Sequence, residues 1–364
     1  MPDSKAPWPD RRILDLFAID LPILQAPMAG ASTPEMAIAV SAAGGLGALP
    51  CAQYDLAGAL HAIETVRAGT SKPINVNFFC HTMPERSAAE DRRWRARLAD
   101  YYREMGLDPE TPSPPSGRTP FDTTFCALVE ETKPEVASFH FGLPEPALLQ
   151  RVKATGAKVI ASATTVREAR WLEARGCDAI IAMGYEAGGH RGTFLTDDPN
   201  RDMTTQIGTF ALVPQVVDAV KVPVIAAGGI ADARGIVAAF ALGAAAVQIG
   251  TAYLFTPEAK IPAFHRAALK SAAAEETMVT NLFTGRPARG LANRLMREVG
   301  PLSTEAPHFP YAGGALIPLR AKTEAAGSND FSNMWAGQAA PLGVELPAGD
   351  LTQRLAIETL ARLP

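Results

Sequence analysis

Eight short apolar runs, most of them followed by a helix-like stretch, constrain this chain more than any other feature. They fall at residues 21–27, 45–49, 74–79, 136–141, 158–163, 179–183, 222–227 and 246–253. Helical patterns lie at 33–43, 56–68, 144–155, 165–175, 210–220 and 232–242. A strand that is apolar along its whole length has both faces covered, as in a parallel sheet under crossover helices. Eight such units in about 230 residues predict an α/β fold of the (β/α)8 TIM barrel kind. A doubly wound open sheet needs fewer strands. With 364 residues, 47% of them hydrophobic, the chain has ample core for a single barrel spanning 1–364.

Two segments interrupt the repeat. Residues 81–122 are polar, proline-rich near 109–120, and follow the third strand as an insertion. Residues 281–346 follow the eighth unit and are rich in glycine, proline and polar side chains. Insertions at the C-terminal ends of barrel strands lie over the active-site mouth. The C-terminal excursion is therefore read as a lid, and the insertion as either a lid or plain surface elaboration.

Charge and composition exclude several classes. A net charge of −4 leaves no electrostatic footprint for nucleic acid. The basic cluster at 92–97 is flanked by Glu90, Asp91 and Asp100, as on a solvated helix face. Cys51, Cys80, Cys126 and Cys177 stand far apart without a C-x-x-C pair, so neither a zinc site nor a disulfide framework is expected. Residues 1–20 lack an apolar signal core. Residues 236–255 carry no charge over a length that could cross a bilayer, but Gly243 divides them into a helix-like and a strand-like half. The expectation is a cytoplasmic enzyme with neither membrane nor nucleic-acid partner.

The distinctive residues gather at predicted strand ends. The first strand ends in Gln25-Ala26-Pro27-Met28-Ala29-Gly30, the third carries Asn75-Val76-Asn77, and the fourth leads into Phe139-His140-Phe141-Gly142. The sixth runs through Met183 into Gly184-Tyr185-Glu186-Ala187-Gly188-Gly189-His190-Arg191-Gly192. Glycines admit a ligand close to the backbone, and histidine moves protons near neutral pH. Taken alone, that segment also fits a glycine-rich turn with a surface histidine. Strands seven and eight end in Gly228-Gly229 and in Gln248-Ile249-Gly250-Thr251. Paired small residues on these two strands form the usual phosphate pocket of such barrels, where backbone N–H groups hold the anion.

Elimination narrows the ligand. No G-x-G-x-x-G follows the first strand, no lysine sits at a strand C-terminus, and no Asp/Glu/His cluster has metal spacing. No metal ligand is therefore assigned. A neutral, glycine-lined mouth with one or two histidines suits a flat cofactor bearing one phosphate, which flavin mononucleotide (FMN) satisfies. His190 has the chemistry to abstract an α-proton or to hydrogen-bond a substrate oxygen. His140 stands at a strand end and is read as a substrate contact. Arg191 is read as a fixed loop contact, and Glu186 as a residue that holds the loop through backbone N–H groups. His61, His81, His265 and His308 have no such context and are read as structural.

These motifs, in this order, resemble the nitronate monooxygenases, formerly called 2-nitropropane dioxygenases, and their class I in particular. The resemblance runs from about residue 21 to 255, and Trp335-Ala336-Gly337-Gln338 is similar to the family's C-terminal region. It implies a barrel holding FMN non-covalently and oxidising alkyl nitronates, or the parent nitroalkanes, with O2 to a carbonyl compound and nitrite. It further implies that Ala26, Pro27 and Met28 lie beside the isoalloxazine and that Asn77 hydrogen-bonds to the flavin. Gly188, Gly189, Gly228, Gly229, Gln248, Ile249, Gly250 and Thr251 would line the ribityl phosphate. His190 matches the family's active-site histidine and His140 the one that helps hold substrate. Met183, also expected at the cofactor, is a departure, because the family usually has glutamine there. A homodimer is a further expectation. Two other readings stay open: an FMN barrel fed by NAD(P)H that reduces quinones or enoyl-thioesters, and a barrel that binds a phosphorylated ligand without redox chemistry.

Overall fold

The computed structural model describes residues 8–112, 114 and 118–363. Residues 1–7 of the N-terminal segment, residues 113 and 115–117 of the proline-rich stretch and residue 364 lie outside the described residues. The eight predicted strands form as β1 (Ile23–Gln25), β2 (Gly47–Leu49), β3 (Ile74–Phe79), β4 (Val136–His140), β5 (Lys158–Ala163), β6 (Ala179–Met183), β7 (Val224–Ala227) and β8 (Ala246–Ile249). All are parallel, and they follow one another in the order β1-β8-β7-β6-β5-β4-β3-β2. A parallel bridge between Leu24 and Leu46 joins the two ends, so the sheet closes into a barrel. Gln25 reinforces that seam: its side chain accepts from Ala48 N (2.8 Å) and donates to Ser32 Oγ (2.8 Å).

Local chemistry starts the helices where the strands end. Thr33, Asp55, Asp122, Thr165 and Asp232 each cap a helix by accepting a backbone N–H with the side chain. The final helix, Ala348–Leu360, packs against Pro34–Ala42 and Ala233–Ala241 and covers the barrel's seam. Tyr253 joins it there by a hydrogen bond to Thr352 Oγ1 (2.8 Å).

The eighth strand is shorter than its apolar run. After Ile249 the chain turns at Gly250 into a 3-10 turn, Thr251–Phe255, whose buried Ala252, Tyr253, Leu254 and Phe255 look strand-like in sequence. No helix of the described residues is long and apolar enough to cross a membrane.

The two excursions meet each other. Helix Ala88–Glu104 of the insertion buries Trp94, Leu98 and Tyr102 against Leu282, Leu295, Leu316, Leu319 and Phe331 of the C-terminal excursion. Trp94 Nε1 donates to Ala312 O (3.0 Å) and Tyr102 Oη to Ala315 O (2.5 Å). The C-terminal excursion also forms an antiparallel sheet with the glycine-rich loop. Strand Ala288–Leu291 pairs with Thr277–Thr280 on one side and with Gly189–His190 on the other.

Candidate active site

A cavity of about 660 Å³ opens at the C-terminal ends of the strands. Ala26, Pro27, Met28, Asn77, His140, Met183, Gly188, Gly189, His190, Gly228, Gly229, Gln248, Gly250 and Thr251 all line it. Ile249 is the exception among the residues predicted for the cofactor. It is fully buried outside the cavity lining, where its carbonyl accepts from Ala26 N (2.8 Å). Successive strand residues face opposite sides, so Gln248 and Ile249 cannot both point inward.

One end of the cavity is made of backbone. Among the described residues, the N–H groups of Gly228, Gly229 and Gly250 meet no protein acceptor. Gly228 has φ +108, and a Cβ there would stand 2.9 Å from Thr209 Oγ1 and 3.0 Å from Ala187 N. Gly188 is packed harder: a Cβ would lie 2.5 Å from Gly337 N and 2.6 Å from the Ala336 carbonyl carbon. The C-terminal Trp335–Gln338 motif thus lies against the glycine loop. Gln338 N donates to Glu186 O (3.0 Å) and Gly337 N to Thr251 Oγ1 (2.8 Å). Glu186 itself accepts from Thr209 N (2.8 Å) and Thr209 Oγ1 (2.8 Å), tying the loop to the start of helix Thr209–Ala219.

Two polar side-chain atoms on this wall lack partners among the described residues. Gln248 Oε1 and His265 Nε2 are buried without a hydrogen bond. Burial lowers the pKa of the His265 ring to about 4, partly offset by the nearby Trp335 backbone. Unpaired N–H donors together with the orphaned Gln248 oxygen match a ligand carrying an anionic oxygen group and hydroxyls. A phosphorylated sugar alcohol such as the ribityl phosphate of a flavin has both. Lys260 also lines this part of the cavity.

The other end is made of side chains. His190 is buried, and its Nε2 lies 2.9 Å from Thr284 Oγ1. The Thr284 hydroxyl donates to Arg286 O (3.3 Å), which leaves it to accept from His190 Nε2–H. This network assigns the lone pair to Nδ1, which has no partner among the described residues. Burial first, and then the charge of Arg118, hold the His190 pKa well below its ordinary value, so the ring is neutral. His140 is also neutral, lowered to about 3 chiefly by burial. Its Nε2 donates to His190 O (3.1 Å), and its Nδ1 accepts from Ser162 Oγ (2.6 Å). Both ring nitrogens of His140 are therefore occupied.

Aromatic rings frame this end. His190 lies 5.5 Å from Trp335, 5.5 Å from Phe309, 6.0 Å from Phe141 and 6.2 Å from Phe79. Phe141 adopts φ +68, rare for an aromatic residue, and is held there by Phe79 (5.0 Å) and by the Arg286 guanidinium over its ring (4.1 Å). Arg191 is buried and donates to Gly184 O (2.6 Å), Met183 O (2.9 Å) and Gln206 Oε1, which fastens the loop to the end of β6. Asn77 Nδ2 donates to Ser138 Oγ (2.9 Å), leaving its amide oxygen available to the cavity. The sequence reading missed Arg118, Ser138, Ser162, Lys260, His265 and Trp335 as lining residues and Thr284 as the partner of His190. Ser138, at the head of the fourth strand's motif, and the Trp335 motif had left a signal.

A closed parallel barrel with a glycine-lined cavity and two neutral imidazoles, His140 and His190, at the C-terminal ends of its strands defines an enzyme of the (β/α)8 class. Comparison with known proteins specifies it further. The nitronate monooxygenase family model matches residues 10–358. A nitronate monooxygenase of Paraburkholderia phytofirmans is 42% identical, over 95% of this chain and 94% of its own length. One of Pseudomonas aeruginosa is 41% identical, over 95% and 98%. The structure of a nitroalkane oxidase from Streptomyces ansochromogenes superposes with a TM-score of 0.86 at 39% identity, covering 96% of this chain and 98% of that one. The chain belongs to the nitronate monooxygenase family, flavin enzymes that oxidise nitronates.

Proposed function

We propose that this chain is a single barrel that binds FMN and oxidises alkyl nitronates with O2, yielding a carbonyl compound and nitrite. The observation that carries this reading is the pairing, in one cavity, of the unpaired N–H groups of Gly228, Gly229 and Gly250 with the free Nδ1 of His190. Bound there, FMN supplies the acceptor for the nitronate's electrons and their route to O2.

The protein's own residues bind, orient and move protons. Gly188, Gly189, Gly228, Gly229, Gln248, Gly250 and Thr251 hold the phosphate and ribityl chain, joined by His265. Ala26, Pro27 and Met28 present a smooth wall to the flavin ring, Asn77 offers its amide oxygen, and Met183 offers only apolar contact. His190 Nδ1 takes the α-proton of a neutral nitroalkane, while Thr284 fixes the tautomer that leaves this nitrogen free. His140 is a positioning residue, because its ring holds the His190 carbonyl and has no free nitrogen for substrate. This replaces the direct substrate contact expected from sequence.

His190→Asn tests the reading. Turnover of a neutral nitroalkane should fall by about 10²–10⁴-fold, with bound flavin retained. Full activity in that variant removes His190 from the reaction, and loss of flavin removes it from proton transfer alone.

A further inference from the structure

The substrate proposed above is an anion, and Arg118, a partly buried cation at the cavity, meets no carboxylate among the described residues. Arg118 ends the insertion and lines the cavity. Its guanidinium lies 5.8 Å from the centre of the Phe79 ring, the same ring that lies 6.2 Å from His190. It also lies close enough to lower the pKa values of both His190 and His81 by its charge. Among the described residues no carboxylate forms an ion pair with it, and desolvation lowers its pKa. Glu186, the carboxylate lining the cavity nearest the glycine loop, is occupied by Thr209. Buried charges are ordinarily paired, because desolvation without compensation costs several kcal/mol.

The backbone is built to hold Arg118 in place. His81, at the start of the insertion, donates from Nε2 to the Arg118 carbonyl (3.1 Å). The long excursion is thus pinned where it leaves the barrel and where it returns. The His81 ring stands 4.8 Å from Phe309, within the aromatic frame that surrounds His190. Sequence alone suggested a neutral mouth, whereas the folded insertion delivers a positive charge to the histidine end.

From this geometry we infer that Arg118 is the substrate-anion receptor, its guanidinium pairing with the nitronate oxygens while His190 faces the adjacent carbon. A planar guanidinium suits two oxygens on one nitrogen as it suits a carboxylate. The insertion is then a specificity element that favours the anion over the neutral nitroalkane. The inference rests on the function proposed above.

The experiment uses Arg118→Met, which keeps the stem and removes the charge, and Arg118→Lys, which keeps the charge and loses the fork. Steady-state constants for an alkyl nitronate and for its parent nitroalkane are measured at one pH, with flavin content and Tm as folding checks. Binding of sodium nitrite, which keeps the two oxygens on nitrogen and the negative charge, is measured by calorimetry on the same proteins. The expected result is a KM for the nitronate raised about 10- to 100-fold in Arg118→Met and partly restored in Arg118→Lys, with a KM for the nitroalkane within about threefold of wild type. Nitrite binding should weaken in parallel. Equal changes for both substrates, or unchanged nitronate KM and nitrite binding in a flavin-loaded variant, would overturn the inference. A wild type that oxidises neither substrate contradicts the function proposed above, and nitrite binding still reports on Arg118 separately.

Discussion

The two ends of the cavity are made of different materials. At the glycine end, strand termini contribute N–H groups, and the close packing of Gly188 on Ala336 and Gly337 leaves no room for a side chain. At the histidine end, side chains from the insertion and the C-terminal excursion converge on β3, β4 and the loop after β6, with Arg118, Thr284, Arg286, Phe309 and Trp335 around His190. A backbone site holds a feature common to every substrate and tolerates little change. A side-chain site can be altered one residue at a time, and it determines which substrate reacts.

That contrast can be broken most severely at Gly188. In Gly188→Val the new side chain must displace residues 336–337, so the C-terminal motif parts from the glycine loop. Flavin affinity should fall more than about 100-fold and Tm should drop, since overpacking a closed site typically costs 1–3 kcal/mol or more. Flavin content after dialysis and a thermal melt check this. A fully loaded Gly188→Val protein with an unchanged melt would contradict the role of backbone packing there.

Acid sharpens the contrast more gently, because the titrating groups concentrate at the histidine end. Burial lowers His81 to about 4 and His140 to about 3. The unfolded chain takes up these protons near pH 6.5, before the folded protein does. Their contribution to stability is therefore complete above pH 6.5 and is lost as pH falls towards 4 for His81 and 3 for His140. Each histidine steepens the loss by about 1.4 kcal/mol per pH unit within its window. Melts of wild type and of His81→Asn between pH 8 and pH 4.5 measure this. The variant should show the shallower decline, and identical slopes would count against a neutral, buried His81.

The same division explains what was legible before the fold was seen. Parallel strands buried on both faces leave unbroken apolar runs, so all eight were placed from sequence. Several were read too long, the first and the last by four residues each; the last was overextended because the 3-10 turn Thr251–Phe255 is just as apolar. Gly228, Gly229 and Gly250 were legible because the conformations they allow are local. Arg191 and Glu186 were legible as loop fasteners for the same reason. Thr284 was not, since it reaches His190 from 94 positions along the chain. Arg118 lies in a polar, proline-rich stretch that gives no periodicity to read. His265 sits in a short apolar helix, Ala263–Leu269, and only the packed structure leaves its Nε2 without a partner. Met183 was visible as a departure from the family, and it lines the cavity.

The most direct test of the central claim is the visible spectrum of the purified protein without oxygen, before and after an alkyl nitronate is added. The predicted result is a flavin spectrum that loses its oxidised band on addition of the nitronate and recovers it with release of nitrite when O2 is admitted. A flavin spectrum that ignores the nitronate and bleaches only with NAD(P)H would contradict it, as would a protein that takes up no flavin.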